Sequence, residues 1–260
     1  MSGVRLGRWD WLLASVALNT LAALVHWVVV QQASSPHEPR VWQALRDLLE
    51  SPWFAQPLRL LYGVGLPAAV LFWQRGLTTH GLGLQGLPGA RDGVGDTNTP
   101  AVRWHDWAGD IGWAVAIGAV TGLVVVLGDL AARRSGRTPP GRQRHDLGTS
   151  LREAVYYQVH WAFYREPFVV LQGATVGSWV GALPVLVEAL LNPALWETVH
   201  AGEPRNTRAV LIRGALFVAG VLIYLKTSNL WVAIVVDMLL GWALLPSEVS
   251  SVLQWQPTAS

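Results

Sequence analysis

Long apolar runs with few charges constrain this sequence more than any other feature. Such runs cover residues 11–30, 57–73, 107–130, 168–191, 209–225 and 230–245. A helix needs about 20 predominantly apolar residues to cross a hydrocarbon core about 30 Å thick. Only 14% of the residues are charged, whereas soluble domains carry about 25%. We therefore expect an all-α fold, a polytopic bundle of about six to eight transmembrane helices.

Charged segments between these runs indicate how the chain is divided. Apolar and charged side chains alternate at helical spacing over residues 42–55, which is typical of a helix lying along the membrane interface. We expect an N-terminal transmembrane anchor with this interfacial helix in residues 1–56, a membrane core in residues 57–246, and a tail in residues 247–260. The loop at residues 131–150 carries five arginines, and short basic loops stay cytoplasmic.

These features predict an integral protein of the bacterial cytoplasmic membrane with the basic loop inside. The chain has no cysteine, which excludes disulfides and thiolate metal sites. The basic loop lacks the interleaved aromatic residues that bind single-stranded nucleic acid. The expected partners are therefore the lipid bilayer and a membrane protein or peptide, and no nucleic acid.

Four ionisable residues interrupt apolar stretches in the second half of the chain, namely Glu153, His160, Glu188 and Asp237. A charged side chain at the bilayer centre costs about 2.5 to 3.5 kcal/mol on insertion scales, so such residues usually face a bundle interior or a wet cavity. Glu153 and His160 lie seven residues apart, on one stripe of a short helix predicted for residues 151–164. Each of the four is therefore a candidate site residue.

Small residues predict where the two remaining carboxylates point. Glu188 continues the helix face formed by Gly173, Gly177 and Gly181, and small residues let helices approach closely in lipid. Asp237 also lies on the small-residue side of its helix. Three carboxylates and one imidazole are therefore expected to converge inside the bundle.

Structural roles for the same residues stay open at this point. Glu153 lies in a helix first turn, where the helix dipole favours an acidic side chain. Glu188 fits a helix-end carboxylate at the interface near Asn192. Asp237 fits a protonated hydrogen bond between helices, and His160 fits a hydrogen-bonded histidine of the bundle.

Three motifs in this half resemble those of a known family. They are REAVYY at residues 152–157, PVLVE at 184–188 and TSNLWVAIVVD at 227–237. Their arrangement is similar to the EExxxR, FxxxH and HxxxN motifs of the CAAX protease and bacteriocin-processing (CPBP) membrane proteins, and the third resembles the typical TGSLWPAILLH. The resemblance implies a CPBP-like core within residues 57–246, an intramembrane metallopeptidase activity, and a zinc ion.

The site residues differ from the family pattern. Glu153 is retained, whereas Glu188 and Asp237 stand where the family has histidines. By the resemblance, Glu153 is the candidate general base, and Glu188, Asp237 and His160 are candidate ligands of a divalent metal. Zinc favours imidazole and thiolate, and oxygen-rich sites suit magnesium, calcium or manganese.

Three functions follow from the resemblance and its departures. The leading hypothesis is a degenerate relative, a pseudoenzyme that serves as a membrane scaffold or partner-binding subunit. The first alternative is an active metal-dependent intramembrane peptidase, a hydrolase. The second is a small transporter or accessory subunit in which the carboxylates form a proton or cation relay.

Overall fold

The computed structural model describes residues 7–34, 40–74, 82–84, 104–134, 146–202 and 204–245. Among them are ten α-helices and one π-helical turn, and no strand. The helices are α1 Arg8–Ala33, α2 Arg40–Glu50, α3 Pro52–Leu60, α4 Leu66–Gln74, α5 Trp104–Arg134, α6 Leu147–Val180, α7 Ala182–Leu191, α8 Pro193–Ala201, α9 Pro204–Thr227 and α10 Leu230–Leu244. The predicted all-α class is therefore confirmed.

Several of these helices have the length and composition of membrane spans. Three qualify singly, namely Trp9–Ala33 in α1, His105–Arg134 in α5 and Asn206–Thr227 in α9. The helices α6 and α7 qualify together but are bent by 41°, so they make a fourth span if the pair counts as one. An integral membrane protein is thus supported, whereas the count of six to eight spans stays a prediction.

The segment predicted to lie along the interface forms α2 and the start of a longer helix. No residue of α2 is buried, and Val41 on its apolar side is 70% exposed. The next helix begins at Pro52, earlier than the predicted start at residue 57, because proline is well suited to a first helical position. Through the π-turn Leu61–Gly65, α3 continues directly into α4.

The region between residues 151 and 191 differs from the prediction in where it breaks. A helix end was expected at Arg165, Glu166 and Pro167, but α6 continues through them. The charged pair does not end the helix because both side chains are fully buried. The Arg165 guanidinium carbon lies 4.3 Å from the ring centroid of Trp161 and 3.1 Å from that of Tyr224.

The break comes at Gly173, and the chain then folds back on itself. Gly173 has φ 78° and ψ 169°, a conformation that only glycine adopts readily. Beyond it, a Cβ on Gly181 would lie 2.6 Å from the Cα of Arg165, and one on Gly177 would overlap the backbone at Phe168. The close approach is therefore found at Gly177 and Gly181, with the first part of α6 as the neighbour, whereas a Cβ on Gly173 would meet nothing within 4 Å.

A second small-residue contact joins α5 to α10. Gly118 and Gly122 form a GxxxG pair, which predicts close helix packing. A Cβ on Gly118 would lie 3.1 Å from Val236, and one on Gly122 would lie 3.7 Å from Leu240. The helix α10 also packs extensively against α6. This packing holds α6, which carries two of the four predicted site residues, in the middle of the protein.

Candidate functional site

The four predicted site residues lie in two separate groups. One group, the cavity cluster, consists of Tyr62, His160 and Glu188, which line a large cavity, and of Ser15 and Tyr164, which contact them from behind. The other group, the paired cluster, consists of Arg59, Glu153, Gln158, Arg213 and Asp237. Glu153, Arg213 and Asp237 border a second and much smaller pocket, whereas Arg59 lines the large cavity and reaches Glu153 from there.

The Glu188 carboxylate is the centre of the cavity cluster. Oε1 accepts a hydrogen bond of 2.8 Å from the Tyr62 hydroxyl and another from the Tyr164 hydroxyl. Oε2 lies 3.3 Å from Nε2 of His160. The Tyr62 hydroxyl lies 3.2 Å from the same imidazole nitrogen. A carboxylate, an imidazole and two phenols therefore meet at one point.

Four helical segments bring these side chains together. Ser15 comes from α1, Tyr62 from the π-turn, His160 and Tyr164 from α6, and Glu188 from α7. Ser15 is fully buried, and its hydroxyl oxygen lies 3.0 Å from that of Tyr164. His160 and Tyr164 are one helical turn apart, so both face α7.

Glu153 has a partner that the sequence interpretation did not assign. Arg59 of α3 donates to both carboxylate oxygens of Glu153, at 3.0 Å and 2.6 Å. Arg152 adds a longer contact of 3.4 Å. Glu153 is 3% exposed, and bidentate arginine pairs are among the strongest charge-assisted hydrogen bonds. The carboxylate is therefore compensated inside the fold.

Asp237 is held by an amide. Gln158 Nε2 donates to Asp237 Oδ2 at 3.2 Å, and a Cβ on Gly220 would lie only 2.8 Å from that same Nε2. The glycine of α9 thus leaves the space that Gln158 occupies. Asp237, Glu153 and Arg213 all border the small pocket.

The structure brings together only part of the predicted set. His160 contacts Glu188 directly, whereas Glu153 and Asp237 border a different pocket. Among the residues that the structure describes, no three His, Cys, Asp or Glu side chains are grouped so that they could hold a metal ion. The four candidate residues therefore do not form the expected metal centre, because His160 and Glu188 lie apart from Glu153 and Asp237. A bound divalent metal stays a prediction.

The sequence interpretation missed several residues of the two clusters, Arg59, Tyr62, Ser15, Gln158 and Arg213. Arg59 is a lone charge inside the apolar run of residues 57–73, so the insertion cost that singled out Glu153 applied equally to it. Tyr62 lies three residues further along the same helical stripe. The hydroxyl of Ser15 gave no sequence signal, because small polar residues are common in membrane helices.

The large cavity has a volume of about 620 Å³. Residues of α1, α3, α6 and α7 line it, and His160 and Glu188 are part of its wall. Most of the other lining side chains are apolar, including Leu18, Leu58 and Leu66. Comparison of the chain with protein family models, with curated proteins and with solved structures found no match.

Proposed function

We propose that this chain is a degenerate relative of the CPBP membrane proteins, a pseudoenzyme that binds a ligand or partner within the membrane. The observation that carries the proposal is the bidentate ion pair between Glu153 and Arg59. A general base needs a carboxylate oxygen within reach of the proton that it removes. Both Glu153 oxygens instead accept from a guanidinium, so this glutamate serves the fold.

The cavity supports a binding role. Its volume of about 620 Å³ lies within the range of about 300 to 1,000 Å³ that ligand sites occupy. Like those sites, it combines an apolar lining with a few polar groups, among them Arg59, Tyr62, His160 and Glu188. Function in this proposal depends on the cavity cluster, and stability depends on the paired cluster.

Metal content and peptidase activity test the proposal together. The full chain would be purified in neutral detergent, exchanged against zinc or manganese, and analysed by mass spectrometry beside Glu153→Gln. We expect no stoichiometric metal in either protein, and no cleavage of a fluorescent casein by vesicles containing the wild type. Stoichiometric metal in the wild type, with cleavage that disappears in Glu153→Gln, would overturn the proposal and favour the active peptidase.

A proton or cation relay is a second candidate. It is favoured by the hydrogen-bonded group of Tyr62, Tyr164, His160 and Glu188, since such groups can pass protons. It is disfavoured by the position of Glu153 and Asp237 around a different pocket. Proteoliposomes with an internal pH-sensitive dye would detect the relay as a proton flux that Glu188→Gln abolishes.

A further inference from the structure

The cavity lies between two helices that do not pack along each other. The helix α1 packs against α2, α6, α7 and α8, but within the described residues it has no extended contact with α3, the π-turn or α4. Ser15 and Tyr62 bridge the gap at one point, with their hydroxyls 3.2 Å apart. Leu18 and Leu61, which border the cavity, are 50% and 66% exposed. Exposed apolar side chains at the rim of this gap fit an opening toward lipid.

The charge of Glu188 differs from that of the other two acidic candidates. Glu153 has Arg59 and Arg152 within ion-pair distance, and Asp237 shares its small pocket with Arg213. The one ion-pair contact of Glu188 in the described chain is with His160. Two phenols and an imidazole solvate its carboxylate. Arg59 also lines the cavity, but its guanidinium is paired with Glu153, and no lysine or arginine among the described residues forms an ion pair with Glu188.

Aromatic side chains surround the same part of the cavity. Trp11 and Tyr62 line it near Glu188, together with Tyr156 and Tyr157. The rings of Tyr156 and Tyr157 already lie near Arg59 and Arg213, respectively, and one side of the Tyr62 ring packs against His160, with ring centroids 4.7 Å apart. Trp11 is therefore the lining ring best placed to meet a ligand. Aromatic faces attract cations and resist anions. The electrostatics at this end of the cavity thus favour a positively charged group.

We infer that the cavity binds a single-chain amphiphile with an ammonium headgroup, which enters from the bilayer and places its charge at Glu188. The ammonium supplies a positive counter-charge for the Glu188 carboxylate. It donates a hydrogen bond to Oε2, because both phenols donate to Oε1. The apolar chain lies along Leu18, Leu58 and Leu66. This inference rests on the proposed binding function and names the ligand class for that site.

Three amphiphiles with the same chain and different headgroups test the inference. Dodecylamine, dodecanol and dodecanoate would be titrated into the full-length protein in maltoside micelles at pH 7, with binding read from the shift in thermal unfolding. The amine is charged at this pH, since alkyl ammonium groups titrate near 10.4 as in lysine. We expect dodecylamine to bind most tightly. Equal binding by all three, or tightest binding by dodecanoate, would overturn the inference.

A variant pair locates the ammonium. Glu188→Gln is expected to weaken dodecylamine binding by roughly tenfold to a hundredfold, the effect of losing a hydrogen bond to a charged group, and to leave dodecanol binding unchanged. Glu50→Gln removes a carboxylate of α2 that lies outside the cavity and should leave both affinities unchanged. Unchanged amine affinity in Glu188→Gln contradicts the inference.

The two proposals fail in different ways. The ranking of the three amphiphiles uses the wild type alone, so it decides the inference even if Glu188→Gln does not fold. Loss of the amine preference would leave the pseudoenzyme proposal intact. Metal-dependent cleavage would remove that proposal whatever the amphiphiles do.

Discussion

The cavity cluster and the paired cluster both contain buried carboxylates, but the carboxylates differ in how their charge is compensated. Around the small pocket, Glu153 is neutralised by Arg59 in a bidentate pair, and Asp237 is bound by the Gln158 amide. Around the cavity, Glu188 is bound by two phenols and an imidazole. Each cluster leaves one buried polar atom without a hydrogen-bond partner in the described chain, His160 Nδ1 and Gln158 Oε1, but only the paired cluster matches a buried anion with an arginine.

This difference separates structural acidic residues from functional ones. Removing one partner of a buried ion pair leaves an uncompensated charge, so it is strongly destabilising. A carboxylate that already lacks a counter-charge loses less when it is made neutral. Neutralising Glu153 should therefore destabilise the protein more than neutralising Glu188. The following predictions begin with the largest expected loss of stability and end with the smallest effect.

The largest loss of stability is expected from Arg59→Met. This change leaves Glu153 buried without its guanidinium, at an expected cost of about 3 to 5 kcal/mol in free energy of unfolding. Denaturant titration in micelles would measure it. The double variant Arg59→Met with Glu153→Leu should regain most of that loss, because an apolar pair replaces an ion pair nearly neutrally. A double variant no more stable than Arg59→Met would show that the pair is not the cause.

A smaller loss is expected from Gly177→Ala, which disturbs the fold-back that delivers Glu188. The added methyl would overlap the backbone near Phe168, and overpacking typically costs about 1 to 3 kcal/mol. Gly112→Ala is the matched control, because a Cβ there meets nothing within 4 Å, and alanine is the better helix former. Equal stability of the two variants would contradict the packing assigned to α6.

The sharpest comparison between the clusters uses two identical substitutions. Glu188→Gln is expected to change the free energy of unfolding by less than about 1 kcal/mol, since an amide oxygen still accepts from both phenols. Glu153→Gln is expected to lose about 1.5 to 3 kcal/mol, the value of a hydrogen bond to a charged group. The comparison fails if Glu188→Gln is the more destabilising variant.

The smallest effect is expected at the start of α6. Thr149 donates to Asp146 through its side chain and its backbone amide, and these hydrogen bonds lower the pKa of Asp146. A lowered folded-state pKa gives stability that is present above the unfolded value of about 3.9 and is lost as pH falls through the folded value. Thermal unfolding of Asp146→Ala should therefore differ from wild type at pH 6 and converge with it in acid.

Much of the fold was predictable because single helices in lipid have a strong composition signal. The expected first span at residues 11–30 lies within α1, Arg8–Ala33, and that at 230–245 matches α10, Leu230–Leu244. The break in α6 was misplaced because Arg165 and Glu166 look like a helix end in sequence. Arg165 packs on the ring of Tyr224 from α9, and a contact with a helix distant in sequence leaves no local pattern.

The site was predictable residue by residue but not as an arrangement. Helical periodicity correctly indicated that Glu153, Glu188 and Asp237 are buried. Periodicity does not determine which basic side chain each buried carboxylate contacts. That depends on how helices distant in sequence are rotated about their axes and shifted along each other. Arg59 is 94 residues from Glu153, so only the three-dimensional structure shows that they form a pair.

The attachment of α1 to α8 has a consequence for how the protein is made. Near its end, α1 is fastened by Trp27 and Gln31, which donate to Glu197 at 2.7 Å and 2.6 Å. Glu197 comes 170 residues after Trp27. At about 5 to 20 residues per second, a ribosome needs roughly 8 to 34 seconds to reach it. The first helix is therefore in the bilayer before its partner Glu197 is synthesised, and during that time only its own apolar length holds it in the membrane.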